Sequence, residues 1–484
     1  MKMTTLGALK KSSYTILPIR EEIKKNLKLK LSQGQNLFEG IYGYETTVIP
    51  DIERALLSGH NILFLGLRGQ AKTRLARLMM ELLDEYTPII EGSEINDHPY
   101  FPISKYAKEL LLKMGDKTPI QWIHRTERYV EKLATPDVSI ADLIGDLDPI
   151  KALHQKTGFD NEYSIHYGLI PRSNRSIFAI NELPDLQARI QVSLLNILEE
   201  NDIQIRGFKL KLPLDIFFVF TANPEDYTQR GNIITPLKDR IESQILTHYP
   251  EDINVALRIT NSEAKLSEQQ RTQIKIPILL QHIVEQIAFS ARESELVDEK
   301  SGVSARMSIA ARELLYSAVE RRMLINKEKT ALARLSDLLS IVPALTGKME
   351  LVFEGEQLGA YDVALTLIND AIQKQIAQHF PKVNDLKKKI NPKFLDTYHW
   401  FAKGNEIIID SDASSAQYKA TLLKVPGTED LTHTFDKSEK LFGIECLLHH
   451  VASANAIQKD WLDNRIIFKD QLASMLNDLN IESN

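Results

Sequence analysis

The chain has 484 residues, 43% of them hydrophobic, a length that suits about three domains of roughly 150 residues each. Its 59 basic and 65 acidic residues give a formal net charge of −6, which argues against a general nucleic-acid or membrane-surface binder. The single cysteine excludes an internal disulfide and a multi-cysteine metal site, and no apolar run suits a secretory signal or a membrane helix, so we expect a cytoplasmic protein with neither nucleic-acid nor membrane partners.

The first strong pattern, NILFLGLRGQAKTRLARLMM (61–80), follows a lysine-rich N-terminal arm or helix at residues 1–30. The run ILFLG is continuous and apolar, which favours a parallel strand buried on both faces. Apolar residues then recur at helical spacing: Leu75, Leu78, Met79, Leu82 and Leu83. A glycine loop between a strand and a helix is the context that a phosphate-binding loop, G-x-x-x-x-G-K-[ST], requires.

In such a loop, backbone N–H groups face an anion, and Gly66 and Gly69 would let the backbone bend close to phosphate. Lys72 would reach the outer phosphates, and the Thr73 hydroxyl would contact Mg²⁺. Ala71 stands where the motif usually has glycine, which is tolerable if its φ angle is negative. The alternative is an ordinary strand–helix turn that carries a lysine.

A second buried strand, Ser176–Ile180, ends in Asn181 and Glu182. A carboxylate at a strand end beside a phosphate loop can polarise an attacking water, so Glu182 is a candidate general base. In many ATPases an aspartate precedes this residue and holds Mg²⁺ through water; Asn181 keeps an oxygen ligand but not the charge. The alternative for Glu182 is a solvated residue in the turn before Pro184.

A third apolar strand, Ile216–Phe220, leads to Asn223. This amide would lie next to the phosphate loop, since ligands collect at the carboxyl ends of parallel strands. Alternatively, Asn-Pro forms a simple turn here. Arg240, in TPLKDRIESQI, suits three roles: a surface charge, half of a salt bridge, or a donor to the γ-phosphate of a neighbouring subunit.

The remaining elements are predicted from shorter patterns. Tyr106–Met114 favours a helix inside an insertion, and alternation around Arg206 and Gly207 favours a β-hairpin. In the C-terminal region we expect a β-hairpin at NEIIIDSDASSA (405–416). Amphipathic helices are expected at EKLFGIECLLHHVASANAI (439–457) and IIFKDQLASMLNDLNI (466–481).

Together these segments resemble the AAA+ ATPases, and within them the MoxR and magnesium-chelatase subunit I branch. IYGYETTVIPDIERALLSGHNILFLGLRGQAKTRLAR resembles the V-x-G-x-E box, a short helix and a G-x-x-G-x-A-K-T loop, which matches Ala71. Later segments resemble that branch in the same order over roughly residues 35–345: ATPDVSIADLIGDLDPIKAL, YGLIPRSNRSIFAINELPDLQ, TANPEDYTQRGNIITPLKDRI and SGVSARMSIAARELLYSA.

The resemblance implies an α/β fold: an AAA+ P-loop parallel sheet flanked by helices, then a helical lid and a mixed, mostly helical C-terminal unit. We expect an N-terminal arm at 1–30 and a nucleotide-binding domain at 31–250 with an insertion at 92–127. A lid at 251–346 and a C-terminal domain of unknown role at 347–484 would follow.

The cofactors implied by the resemblance are ATP and Mg²⁺. Ile41 and Tyr42 would flank the adenine, and Thr73 and, indirectly, Asn181 would hold the metal. The expected nucleotide-binding loop residues are Gly66, Leu67, Arg68, Gly69, Gln70, Ala71, Lys72, Thr73 and Arg74.

Four residues receive catalytic roles from the resemblance. Glu182 would be the base and Asn223 the sensor-1 residue that orients water. Arg240 would be the finger donated in trans, and Arg306 the sensor-2 arginine. Asn181 departs from the usual aspartate, which we expect to weaken the enzyme rather than to inactivate it.

The resulting hypothesis is an ATP-hydrolysing remodelling machine that acts as a homo-oligomeric ring, expected to be a hexamer, on a vWA-domain partner or a client protein. One alternative is the motor subunit of a genuine porphyrin magnesium chelatase. Another is a nucleotide-binding scaffold with weak or no turnover because of Asn181.

Overall fold

The structure is a computed structural model that describes residues 3–148, 151, 162–200, 202–205, 211–224, 231–384, 390–462 and 464–470. The chain divides into two compact units, Met1–His248 and Tyr249–Asn484. Among the helices within the described ranges, none has the length and apolarity needed to cross a membrane.

The first unit is built on a five-stranded sheet in which every neighbouring pair is parallel. Its strands are β1 (Ile62–Leu65), β2 (Tyr129–Leu133), β3 (Ser176–Asn181), β4 (Ile216–Ala222) and β5 (Ser243–Leu246). They are ordered β5-β1-β4-β3-β2 across the sheet. The residues that follow β1, β4 and β3 therefore meet at one edge, and the predicted α/β fold class is confirmed.

Helices cover both faces of this sheet, which explains the continuous apolar strands. Ile62 and Phe64 of β1 pack into one hydrophobic cluster, while Leu63 between them packs into the other. All three side chains are at most 1% exposed. Because successive side chains of a strand point to opposite faces, a strand buried on both sides has no polar positions.

The helices of the first unit are mostly short. The α-helices are Leu6–Lys10, Ile19–Ser32, Val48–Ser58, Lys72–Leu78, Lys105–Met114, Ile140–Leu143, Leu169–Arg172, Ala188–Glu200 and Thr235–Asp239. The 3₁₀ helices are Met79–Leu82, Gly115–Lys117, Arg125–Arg128, Glu162–Ser164 and Leu183–Asp185. The helix predicted in the insertion is thus confirmed.

Three antiparallel strand pairs lie outside the main sheet. They are Tyr86–Ile90 with Ile120–His124, Gly145–Leu147 with Ile165–Tyr167, and Asp202–Gln204 with Lys211–Pro213. The last pair confirms the predicted hairpin, whose turn around Arg206 and Gly207 lies outside the described residues.

The N-terminal segment is packed into the first unit. Glu22, on helix Ile19–Ser32, pairs with both terminal nitrogens of Arg128 at 2.7 Å, and both side chains are at most 5% exposed. The backbone N–H of Ile19 donates to the Asp215 carboxylate at 2.8 Å. Such a buried pair is costly to break, because removing one partner leaves an uncompensated charge.

The second unit is mainly helical. Its α-helices are Ile253–Glu263, Glu268–Gln273, Ile278–Glu293, Arg306–Asn326, Val342–Thr346, Phe353–Leu358, Ala360–Ile376, Leu395–Ala402, Ser415–Leu422 and Lys440–Ser453. The 3₁₀ helices are Leu335–Ile341 and Pro392–Phe394. A parallel pair, Ile274–Lys275 with Ala331–Leu332, and an antiparallel sheet of Ile407–Asp410, Arg465–Lys469 and Gln458–Leu462 complete it.

Two local predictions for this unit are wrong. Ile407–Asp410 does not form a hairpin with its neighbours but pairs with Arg465–Lys469, and Ser415–Leu422 is a helix capped by the Ser414 side chain. The sequence predicts a helix at 466–481, but its first residues belong to the strand Arg465–Lys469. Ile466 and Phe468 of this strand are buried, at the two-residue spacing of a strand. Residues 471–484 lie outside the described residues.

A buried glutamate links the expected lid segment to the expected C-terminal segment. The Glu445 carboxylate accepts hydrogen bonds from the backbone N–H groups of Leu335 (3.0 Å) and Ser336 (2.9 Å), and from the Tyr418 hydroxyl (2.6 Å). Burial raises the pKa of Glu445 above its ordinary value. One hydrophobic cluster runs through both segments, so residues on either side of position 346 share a core.

Candidate nucleotide site

The lysine of the predicted phosphate loop lies where β1 and β4 end side by side. Lys72 is the first residue of helix Lys72–Leu78 and is 7% exposed. Its ammonium group donates to the carbonyl oxygens of Gly66 and Leu67 (the latter at 3.0 Å) and to Asn223 Oδ1 at 2.6 Å. A buried ammonium so placed has acceptors that an anion can replace.

Asn223 joins this lysine to the candidate base. Its Oδ1 accepts from Lys72, and its Nδ2 donates to Glu182 Oε2 at 3.1 Å. Glu182 follows the last residue of β3 and has φ 55° and ψ 51°, a left-handed conformation that costs a non-glycine residue about 1–3 kcal/mol. The backbone is thus held in an uncommon conformation where a carboxylate meets the edge of the sheet.

Asn181 and Thr73 face each other across the same edge. The Thr73 hydroxyl donates to Asn181 Oδ1 at 3.4 Å, and the Thr221 hydroxyl donates to the same oxygen at 3.2 Å. Thr221 Oγ1 in turn accepts from the backbone N–H of Glu182 at 3.2 Å. The amide oxygen of Asn181 therefore points toward Thr73, the threonine of the predicted phosphate loop.

The amide nitrogen of Asn181 points the other way, toward a carboxylate that the sequence analysis missed. Asn181 Nδ2 donates to Glu131 Oε1 at 2.7 Å. Arg77 holds both oxygens of Glu131, at 2.7 Å from Nε and 2.9 Å from Nη2. This hydrogen bonding raises the pKa of Arg77, while burial, and then the Glu131 charge, raise the pKa of Tyr129 well above its ordinary value. Arg77 is therefore charged and Tyr129 neutral near pH 7.

Ala71 departs from the expected backbone conformation. Its φ is 57° and its ψ is 15°, so the condition of a negative φ is not met. Left-handed backbone costs a residue with a Cβ atom roughly 1–2 kcal/mol, which glycine avoids. The loop therefore has two left-handed residues, Gly69 at φ 75° and Ala71, on either side of Gln70.

The start of the loop is closely packed. A Cβ atom on Gly66 would lie 2.0 Å from Thr247 Oγ1 and 2.2 Å from Gln70 Oε1, so any other residue would displace these two side chains. Thr247 donates to Gln70 Oε1 at 2.7 Å, and the Tyr44 hydroxyl donates to the Gln70 carbonyl oxygen at 3.0 Å. Gln70 thus anchors the loop from both its side chain and its backbone.

Tyr44 also brings the predicted adenine segment beside the loop. Ile41, three residues earlier, is 6% exposed and Tyr42 is half-buried. A Cβ atom on Gly40 would lie 2.7 Å from Arg74 Nη2, so the Arg74 guanidinium lies against this segment. Leu67 is half-buried and Arg68 exposed.

The structure describes the local surroundings of both predicted arginines. Arg240 pairs with Glu199, at 3.0 Å from Nε and 2.9 Å from Nη2, and also donates to the Pro236 carbonyl at 3.0 Å. Arg306 is the exposed first residue of helix Arg306–Asn326 in the second unit. Their roles stay predictions.

The donor set fits Mg²⁺ held together with phosphates. Within the ranges that the structure describes, no group of three or more His, Cys, Asp or Glu side chains could form a protein cage for a metal. Mg²⁺ usually keeps several waters and takes few protein ligands besides substrate phosphates. The Thr73 hydroxyl and Asn181 Oδ1, 3.4 Å apart, are oxygen ligands of that kind.

No protein-family model matches the chain, and no curated protein matches it. Among solved structures, a candidate ATPase from Cytophaga hutchinsonii is 16% identical, with 72% of this chain and 95% of that chain covered and a TM-score of 0.29. NtrX from Brucella abortus in complex with ADP is 14% identical, covering 72% and 66%, with a TM-score of 0.38.

A reconstruction of the complex between subunits BchI and BchD of magnesium chelatase is 19% identical, covering 66% of this chain and 98% of that chain, with a TM-score of 0.34. All three TM-scores are low, so the fold and site described above rest on this chain's own strand order and contacts.

Proposed function

We propose that the chain is an ATP-binding and ATP-hydrolysing enzyme of the AAA+ type, similar to the MoxR and magnesium-chelatase subunit I branch. The observation that carries the proposal is the linked set Lys72, Asn223 and Glu182, with bonds of 2.6 and 3.1 Å, at the carboxyl ends of adjacent parallel strands. A strand–helix turn that merely contained a lysine would not require a buried ammonium bonded to a polar side chain of the neighbouring strand.

Each residue of the set has a definite task in this proposal. Lys72 exchanges hydrogen bonds to carbonyl or amide oxygens for charge-assisted hydrogen bonds to the outer phosphates. Glu182 accepts a proton from the attacking water, and Asn223 keeps the carboxylate in place. Mg²⁺, when bound, would neutralise charge on the phosphates. Thr73 and Asn181 would hold it.

A nucleotide-binding scaffold is the second candidate, and Asn181 is the observation that favours it. A neutral amide stands where aspartate is usual, and its Nδ2 is directed at Glu131. We favour the enzyme because Glu182 lies beside Asn223, 3.1 Å away, so the candidate base remains on the site.

The assembly proposed is a homo-oligomeric ring that remodels a vWA-domain partner or a client protein. Its support is the sequence resemblance and Arg240, whose side chain is 31% accessible and whose contacts within the described ranges are with Glu199 and the Pro236 carbonyl. A partly exposed arginine of this kind can be donated to the γ-phosphate bound by a neighbouring subunit, where it stabilises the transferred charge.

Phosphate release from ATP separates the two candidates. The wild type should release phosphate continuously, and Glu182→Gln should bind ATP with similar affinity but release phosphate at least about 100-fold more slowly, because the general base is lost. Glu200→Gln, an exposed glutamate in the same unit, is the matched control and should behave as the wild type. Turnover by Glu182→Gln at the wild-type rate would contradict the assignment. Tight ATP binding by a wild type without turnover would favour the scaffold.

A further inference from the structure

Asn181 raises a problem of orientation that an aspartate would not have. A carboxylate presents an oxygen on either side, whereas an amide has one oxygen and one NH₂ group. If the NH₂ group faced Thr73, the site would offer Mg²⁺ a donor instead of a ligand oxygen. Something must therefore fix the amide with its oxygen, Oδ1, toward Thr73, where it lies 3.4 Å from the hydroxyl.

The two hydroxyl groups beside Asn181 do not settle its orientation. Thr73 and Thr221 both contact Oδ1, at 3.4 and 3.2 Å, but a hydroxyl can donate or accept and would bond to either end of the amide. Glu131 is different because an ionised carboxylate only accepts. At 2.7 Å it can face only the NH₂ group of Asn181.

Glu131 is itself held firmly. It lies on β2, next to β3, and 23% of its side chain is exposed. Arg77 binds both of its oxygens through two charge-assisted hydrogen bonds, which fixes the plane of the carboxylate. Arg77 lies four residues after Thr73 on the phosphate-loop helix, so both project from one helix face toward the ends of these strands.

We propose that Glu131 is a positioning residue of the candidate magnesium site. Its carboxylate orients the Asn181 amide and supplies, from the neighbouring strand, the negative charge that an aspartate at position 181 would carry. The inference deepens the proposed function and rests on it, since the metal would bind together with a nucleotide.

The pair also predicts how the two positions depend on each other. In Asn181→Asp/Glu131→Gln, the single negative charge moves to position 181 and the glutamine amide can donate to it, so the hydrogen bond and the total charge are both kept. In Glu131→Gln alone, the charge is lost and two amides face each other in either of two orientations. The double variant should therefore bind metal better than the single variant from which it is made.

The test is the affinity for ADP, measured by calorimetry once with MgCl₂ and once with EDTA. Mg²⁺ should tighten ADP binding by the wild type, and Glu131→Gln should reduce that tightening about tenfold, because a charge near a divalent ion is removed. Asn181→Asp/Glu131→Gln should restore it to within about threefold. Neither value requires turnover.

Two controls separate positioning from simple structural support. Arg77→Gln breaks the same ion pair but leaves the Glu131 charge and its hydrogen bond to Asn181, so its Mg²⁺ effect should fall less than that of Glu131→Gln. Glu81→Gln removes a comparable pair, with Arg125 at 2.7 Å, elsewhere in the unit and should change nothing. Thermal unfolding confirms that each variant is folded. If Glu131→Gln does not fold, Arg77→Gln and the double variant still test whether Glu131 positions Asn181.

The outcomes are distinct. An unchanged Mg²⁺ effect in Glu131→Gln, equal losses in Glu131→Gln and Arg77→Gln, or no recovery in the double variant would each overturn the role of Glu131 while leaving nucleotide binding intact. A wild type that binds ADP under neither condition would overturn the proposed function and this inference together.

Discussion

Replacing Asn223 with alanine should uncouple the phosphate-loop lysine from the candidate base. The change removes two side-chain hydrogen bonds, at 2.6 Å to Lys72 and 3.1 Å to Glu182, from a residue that is 6% exposed. Hydrogen bonds to charged groups contribute about 1.5–3 kcal/mol each. Lys72 retains its carbonyl partners, and the half-buried Glu182 gains access to water, so the net loss should be about 2 kcal/mol.

For a domain of this size, that loss corresponds to a fall in Tm of about 4–8 °C. Because Lys72 stays in place, ATP affinity should change less than about tenfold, whereas phosphate release should slow by about 10²-fold as Glu182 loses its fixed position. Differential scanning fluorimetry, ATP titration and a phosphate-release assay measure the three quantities. Asn232→Ala, at an exposed asparagine of the same unit, is the control. Unchanged turnover together with an unchanged Tm would refute the coupling.

Three further results are expected. Arg240→Ala should retain ATP affinity but lose about 10³-fold in phosphate release, and mixing it with assembled Glu182→Gln should recover part of the rate. Glu199→Ala, which removes the ion-pair partner of Arg240, should keep turnover, whereas normal hydrolysis by Arg240→Ala would exclude the finger role. Burial lowers the pKa of His98 to about 4 from 6.5, so the unfolded state takes up a proton at a higher pH than the folded state does. Stability should therefore fall as the pH drops from 6.5 to 4, by at most about 3 kcal/mol because the ring is half-buried, and His98→Asn should flatten this slope in urea unfolding. Ala71→Gly should change the unfolding free energy by less than about 1 kcal/mol, because relief of the left-handed backbone offsets the greater freedom of glycine in the unfolded state. Ala71→Val should lower the unfolding free energy by more than about 1 kcal/mol, because a branched side chain disfavours this conformation. Equal stabilities of the two variants in thermal unfolding would contradict the backbone argument.

The central sheet could be predicted from the sequence because its signals are local. The apolar runs of β1, β3 and β4 are each continuous, and their ends carry glycine, asparagine or glutamate where a ligand would sit. Parallel pairing then brings those ends together without further information. The left-handed conformation of Ala71 was not foreseen, because a motif constrains residue types more than it constrains φ.

Glu131 escaped prediction because its strand gives a weak signal. YVEKL, β2, is half-buried and mixes charged and apolar residues at the edge of the sheet. A comparison of β2 with β3 would have indicated it, since Leu133 pairs with Asn181 in the register and Glu131 lies two residues before Leu133. The prediction of the C-terminal strands was wrong for a related reason. Ile407–Asp410 pairs with a segment more than 50 residues away, and local turn signals carry no information about such a partner.

The most direct test of the account is the affinity for ATP with Mg²⁺ in the wild type, Lys72→Ala and Lys108→Ala. Lys72 is buried and bonded to Asn223, whereas Lys108 is exposed on helix Lys105–Met114 of the same unit and loses an equal charge. We expect the wild type and Lys108→Ala to bind alike and Lys72→Ala, with its fold intact by circular dichroism, to bind at least about 100-fold more weakly, because charge-assisted bonds to the outer phosphates are lost. Equal ATP affinity in Lys72→Ala and the wild type would contradict the assignment of a nucleotide site.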